Sequence, residues 1–144
     1  MKQKHDILHH CLYFTANALS RVITRMADEA FRVTGLSPSH AFVMMLVNDT
    51  PGIGQKELCA HLHLAPSTVT RFVDVLAYKG FLTRVSEGKT VKLHPTEAGL
   101  QLQASIAAAW KRLHVRYCAI LGEDAGDELT RIIDAASQKL AAKL

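Results

Sequence analysis

Two groups of side chains in this sequence are of types that do chemistry. The first comprises eight histidines and three cysteines, Cys11, Cys59 and Cys118. His114 and Cys118 stand one helical turn apart and could share a metal with His40, because imidazole and thiolate are common zinc donors. Two such residues at i and i+4 are frequent by chance, so the expectation is no metal and no other cofactor. Cys11 follows His9 and His10, but no neighbouring Lys or Arg would lower its thiol pKa, and a buried, unreactive thiol is expected. An odd number of cysteines at wide spacing gives neither a disulfide framework nor a CxxC zinc site. Catalysis would need a nucleophile, a base and an orienting group. Histidines scattered without a motif supply none of these, and no enzymatic activity is expected.

The second group is the run Pro66, Ser67, Thr68, Thr70 and Arg71. If Val69, Phe72, Val73 and Leu76 form the buried face of a helix, these five residues remain outside at its N-terminal end. Short hydroxyls and an arginine at that end are what a helix needs to read base edges in a DNA major groove. Capping of a structural helix would use Ser67 and Thr68 equally well. Three further cations, Arg84, Lys89 and Lys92, lie just beyond. They would meet phosphate or a minor groove, or keep an exposed strand edge from aggregating. Asp74 is excluded from the contacts, since phosphate repels it; it suits a neighbouring cation instead.

The elements that hold these groups are legible from periodicity. Leu8, Leu12, Leu19, Val22 and Met26 recur at helical steps, with Thr15 in the gap and Gly35 as the stop. Ser37 and Pro38 supply an N-cap and a first helical residue for a second helix through Leu46. Pro51 and Gly52 make a turn, Ile53 is a lone extended residue, and Gly54 caps a third helix over Gln55 to Leu62. Pro66 opens the fourth helix, which runs to Tyr78 and closes at Gly80. The pattern then changes to period two. Phe81, Thr83 and Val85 lie on one side, Val91 and Leu93 return, and a two-stranded hairpin is expected around Ser86 to Lys89. Thr96 and Glu97 cap a fifth helix carrying Ile106, Trp110, Leu113, Tyr117 and Ile120, which Gly122 ends. A sixth helix from about Asp124 buries Leu129, Ile132, Ala136 and Leu140. The fold class is therefore mainly α with a small β-hairpin: a winged helix-turn-helix flanked by long N- and C-terminal helices.

With 144 residues, 49% hydrophobic and 21% charged, the chain suits one domain, residues 1–144. Residues 36–99 would form the winged helix-turn-helix, and 1–35 and 100–144 the dimerisation helices. A net charge of +4 permits a phosphate-facing surface without requiring it. The uncharged stretch Ile7 to Ser20 is too short and polar to span a bilayer, and no membrane partner is expected. Lys2, Lys4 and Ala16-Asn17-Ala18 imitate a signal peptide, but His9 and His10 interrupt the apolar segment, and the expected location is the cytoplasm.

The run LHLAPSTVTRFVDVLAYKGFLTR (62–84) and the run VKLHPTEAG (91–99) resemble the winged helix-turn-helix of the MarR family of bacterial transcriptional regulators. The resemblance extends in element order over the chain. It implies that Ser67, Thr68, Thr70 and Arg71 enter the major groove. The family's wing carries Asp-x-Arg, whose Arg enters the minor groove; here Glu87-Gly88-Lys89 stands in its place. Lysine lacks the planar fork of arginine, so a backbone phosphate suits Lys89 better. Long apolar stripes on the terminal helices, together with the resemblance, imply a homodimer on an inverted-repeat, palindromic DNA duplex. The resemblance also implies a small-molecule effector of unknown identity, with Phe14, Val22, His40, Trp110 and His114 as candidate pocket residues. A repressor is the expected role. Two alternatives remain: a thiol-based redox sensor using Cys11, and a winged-helix protein-interaction module without DNA binding.

Overall fold

The computed structural model describes residues 4–144; Lys2, part of the leader-like start, lies outside them. A 3-10 helix at Lys4–His10 leads into α1 (Leu12–Phe31), which a second 3-10 turn at Arg32–Thr34 ends. Then come α2 (Pro38–Asp49), β1 (Ile53–Gly54), α3 (Gln55–Leu62), α4 (Pro66–Tyr78), β2 (Leu82–Glu87) and β3 (Thr90–Pro95). The chain continues as α5 (Glu97–Gln101), α6 (Gln103–Leu121) and α7 (Glu123–Ala141). It divides into two compact units, residues 1–109 and 110–144, with the boundary inside α6.

Capping fixes the helix starts in the first unit. The Ser37 hydroxyl accepts from the His40 N–H, and Pro38 occupies the first turn where no N–H is needed. Thr96 caps α5 by accepting from Gly99 N–H, and its hydroxyl donates to Gly80 O at 2.6 Å, which ties the end of α4 to the start of α5. Ala65 and Gly54 stand at the N-caps of α4 and α3 without a side-chain cap bond. The core of this unit is Phe31, Val43, Met44, Val47, Ile53, Leu58, Val69, Val73, Leu76, Leu82, Leu93 and Ile106, each at most 3% exposed. Full burial of such a side chain contributes about 1.5–3 kcal/mol, so α4 is held by its inner stripe and is free to vary outside.

The sheet departs from the expected hairpin in two ways. It has three strands in the order β1-β3-β2, because Ile53 and Gly54 pair with Leu93 and Lys92. The buried parity is also shifted by one: Leu82 pairs with Pro95 and Arg84 with Leu93, so Leu82 and Leu93 face inward while Thr83 and Val85 are exposed. Phe81 sits before the strand and is only half-buried, which is why the period-two pattern was misphased when counted from it. At the tip, Gly88 has φ 63 in the first of two loop positions, the requirement of a type II′ turn.

The expected fifth helix is two helices. Asn48 Nδ2 donates to the Gly99 carbonyl at 3.0 Å and to Gln103 Oε1 at 3.1 Å, so a side chain competes for a carbonyl of the helix ladder and α5 closes at Gln101. No Gly or Pro marks that break. The apolar stripes on the long helices are also exposed rather than buried in the single chain: Leu8, Leu12, Leu19, Val22, Trp110, Ile120, Ile132 and Leu140 are between 38% and 70% exposed. Their spacing makes a continuous stripe on a helix's outer side, and a core this small is already filled by other residues.

Candidate nucleic-acid interface

Helices α3 and α4 are joined by a tight turn in which His63 adopts φ 54 and caps α3 through its N–H to Cys59 O. A bond between side chains fixes their mutual placement. Gln55 Nε2, at the start of α3, donates to Thr70 Oγ1 on α4, and the same hydroxyl donates to Pro66 O at 2.9 Å. The Thr70 hydroxyl has thereby spent its only proton inside the protein. It braces the helix pair. Gln55 was missed from the sequence, and the signal available was a long amide beside the Gly54 cap.

Outside this brace, Pro66, Ser67 and Arg71 are exposed and Thr68 is half-buried. Ser67, Arg71, Asp74 and Tyr78 follow at steps of four, three and four along the exposed side of α4, and Tyr78 is 93% exposed. Tyr78, expected only as the end of this helix, was not among the predicted contact residues. Its position one period past Asp74 could have shown it.

The three wing cations differ in their surroundings. Arg84 reaches back from β2 and pairs with Asp74 of α4, as anticipated for that carboxylate, so its charge is largely compensated. Lys89 is exposed at the turn. Lys92 is half-buried and lines an open groove of about 660 Å³ with Gly54, Gln55, Lys56, Glu57, Ala60, Thr90 and Val91. Among the described residues no carboxylate pairs with Arg71, Lys89, Lys92 or Lys56. Lys56 was also missed, because in sequence it is one more exposed lysine of a short helix.

The candidate pocket residues fall on both units. In the first, Phe14 is half-buried with an edge contact to His9, Val22 is 57% exposed, and His40 is half-buried against Phe72, ring centroids 4.8 Å apart. The Ser37 hydroxyl meets His40 Nδ1, while Nε2 is buried and has no partner among the described residues. Burial, and then the Lys79 charge, lower the His40 pKa below its ordinary value. In the second unit Trp110 is 55% exposed rather than part of a core, and His114 pairs with Asp127 at 2.8 Å. Cys11 corrects another expectation. It is exposed, because it is the N-cap residue at the junction of the first 3-10 helix and α1.

An α3-turn-α4 pair followed directly by a β2–β3 wing, with β1 completing the sheet, defines a winged helix-turn-helix protein. Residues 36–87 match the model of the MarR family. Among curated proteins none matches. Solved structures share the fold over nearly the whole chain. One is the transcriptional repressor CouR bound to p-coumaroyl-CoA, at 20% identity and TM-score 0.83, covering 94% of this chain and 98% of that one. CouR bound to a 23-mer DNA duplex has 21% identity and TM-score 0.80, covering 95% and 99%. The Mycobacterium tuberculosis transcriptional regulator MosR has 19% identity and TM-score 0.77, covering 92% and 96%. No helix among the described residues is long and apolar enough to cross a membrane.

Proposed function

We propose that this chain is a sequence-specific double-stranded DNA-binding transcriptional regulator, a repressor acting as a homodimer on an inverted-repeat operator and released by a small-molecule effector. One observation carries the reading: α4 offers an exposed polar flank, Ser67 and Arg71, beside a wing whose Lys89 has no internal partner among the described residues. Arg71 contacts base edges; Pro66, Ser67 and Thr68 approach the helix-proximal bases and phosphates. Lys89 and Lys92 meet phosphate, and Lys56 in the same groove as Lys92 extends that contact. Thr70 positions α4, and Arg84 acts through Asp74 more than through DNA. DNA binding by CouR supports this reading, as do the exposed apolar stripes of α1, α6 and α7, which a second copy would cover. Residues 1–35 and 100–144 would then serve dimerisation and 36–99 the DNA. The effector reading rests on CouR with its bound thioester and on the unpartnered Nε2 of His40, a polar group beside the Phe72 ring. Phe14 and Val22 are the other groups of the first unit proposed for effector contact; Trp110 and His114 are separate candidates within the second.

Selection of bound sequences from a random duplex library tests the proposal. The expected outcome is a palindrome with half-sites about one helical turn apart and Kd near or below about 10⁻⁷ M at moderate salt. Equal affinity for the selected and scrambled duplexes would overturn it. A second reading is favoured by the exposure of Cys11: an oxidisable thiol at the start of α1 that changes DNA affinity. Peroxide treatment that releases DNA from the wild type but not from Cys11→Ser would support that reading, and release from both would exclude it.

A further inference from the structure

Three side chains of different chemistry converge within the second unit. His114 and Cys118 lie one turn apart on α6, and Asp127 comes from the early part of α7. His114 Nε2 is 2.8 Å from Asp127 Oδ1, and Cys118 Sγ is 3.6 Å from that nitrogen and 3.9 Å from that oxygen. We propose that His114, Cys118 and Asp127 form a three-ligand site for a zinc-class divalent cation that joins α6 to α7.

The distances suit such an ion. Tetrahedral zinc with bonds of about 2.0 Å to N and O and about 2.3 Å to S holds its donor atoms about 3.3 to 3.6 Å apart. Each separation here is within about 0.5 Å of that range, a difference that side-chain torsions close. The helix corner is built to leave room for the sulfur. A Cβ on residue 126 would come within 2.8 Å of Cys118 Sγ, and glycine occupies that position. Gly122 N–H donates to Cys118 O, and Gly126 N–H donates to Gly122 O, which locks the turn between the two helices.

Charge and access agree with the geometry. Cys118 is buried, whereas the His114 and Asp127 side chains are 37% and 59% exposed, so an ion can enter from solvent. A dication with one thiolate and one carboxylate is neutral. Burial, then Asp127 and then Glu123 push the Cys118 thiol up from its ordinary value. On loading, the S–H proton leaves to solvent as the sulfur–metal bond forms, and His114 binds through its neutral imidazole. A soft sulfur ligand disfavours calcium and magnesium, which take oxygen. The fourth position remains for water or another donor, as in open zinc sites. Sequence spacing had offered His114 and Cys118 with His40; the donor supplied by the fold is Asp127.

The test is titration of the metal-free full chain with cobalt(II), followed by zinc competition. The expected result is one equivalent per chain, a thiolate-to-cobalt charge-transfer band, tetrahedral d–d bands, and loss of both on adding zinc. The Cys11→Ser/Cys59→Ser double variant retains these bands and Cys118→Ser loses the charge transfer. Should Cys118→Ser fail to fold, Asp127→Asn alters an exposed side chain and is expected to keep wild-type helicity while weakening zinc by at least about tenfold. A missing thiolate–cobalt band in the wild type, its loss in the double variant, its survival in folded Cys118→Ser, or unchanged zinc affinity in Asp127→Asn would each overturn the proposal.

Discussion

Replacing Asp74 by Asn releases the arginine at the base of the wing. In the folded chain Arg84 is paired with Asp74, whose side chain is 57% exposed. Exposed ion pairs contribute about 0–1 kcal/mol, so the variant should lose at most about 1 kcal/mol of stability and keep its fold. The effect on DNA is larger. The substitution removes a negative charge from the α4 face and leaves the Arg84 guanidinium free for phosphate. One added phosphate contact per protomer steepens the slope of log K against log salt by about 0.9, or about 1.8 for a symmetric dimer. A fourfold rise in salt then weakens the variant about twelvefold more than the wild type. At low salt the variant should bind both operator and unrelated duplex more tightly, because phosphate carries no sequence information. Fluorescence anisotropy at several salt concentrations measures both quantities. An unchanged or shallower slope in a folded variant would refute the view that Arg84 is held back by Asp74.

Other outcomes follow from the same geometry. Lys89→Ala should weaken binding to all duplexes similarly, while Arg71→Ala should relax sequence preference at one position per half-site; competition between duplexes separates the two effects. Gln55→Ala removes the bond that braces α3 against α4 and should cost about 1 kcal/mol in urea unfolding; no loss would show the brace to be unimportant. Gly99→Ala places a Cβ 2.1 Å from the Phe81 carbonyl and 2.7 Å from Met44 Cε, so a cost of about 3 kcal/mol or more is expected in thermal unfolding. His40 has a lowered pKa when folded, so the unfolded chain binds the extra proton first. Its contribution is present above about pH 6.5, is lost as pH falls through that value towards the folded pKa, and is constant below. The difference in urea midpoint between wild type and His40→Gln, followed from about pH 8 to about pH 5, should shrink on acidification; growth of that difference would contradict the sign.

The linear order of residues was enough for the helix-turn-helix and its wing. Pro66, the inward stripe Val69, Val73 and Leu76, and the Gly88 turn are local signals that each act over a few residues. The carboxylate of Asp74 was also readable as a cation's partner, because no phosphate-binding face tolerates it. The candidate pocket residues were less legible, since an aromatic at helical spacing reads alike as a core residue and as a surface one. Trp110 and Val22 both lie exposed.

What sequence alone determined was therefore whatever depends on neighbours within a turn or two: helix starts, hairpin position and the polar flank of α4. Contacts between residues far apart in the chain were decided only by packing. The third sheet strand needs Ile53 beside Leu93, the break after Gln101 needs Asn48 beside Gly99, and the second use of the Thr70 hydroxyl needs Gln55. The physical reason is that a backbone carbonyl, a hydroxyl or a thiol is satisfied by whichever partner the assembled fold brings within bonding distance, and periodicity carries no record of that distance.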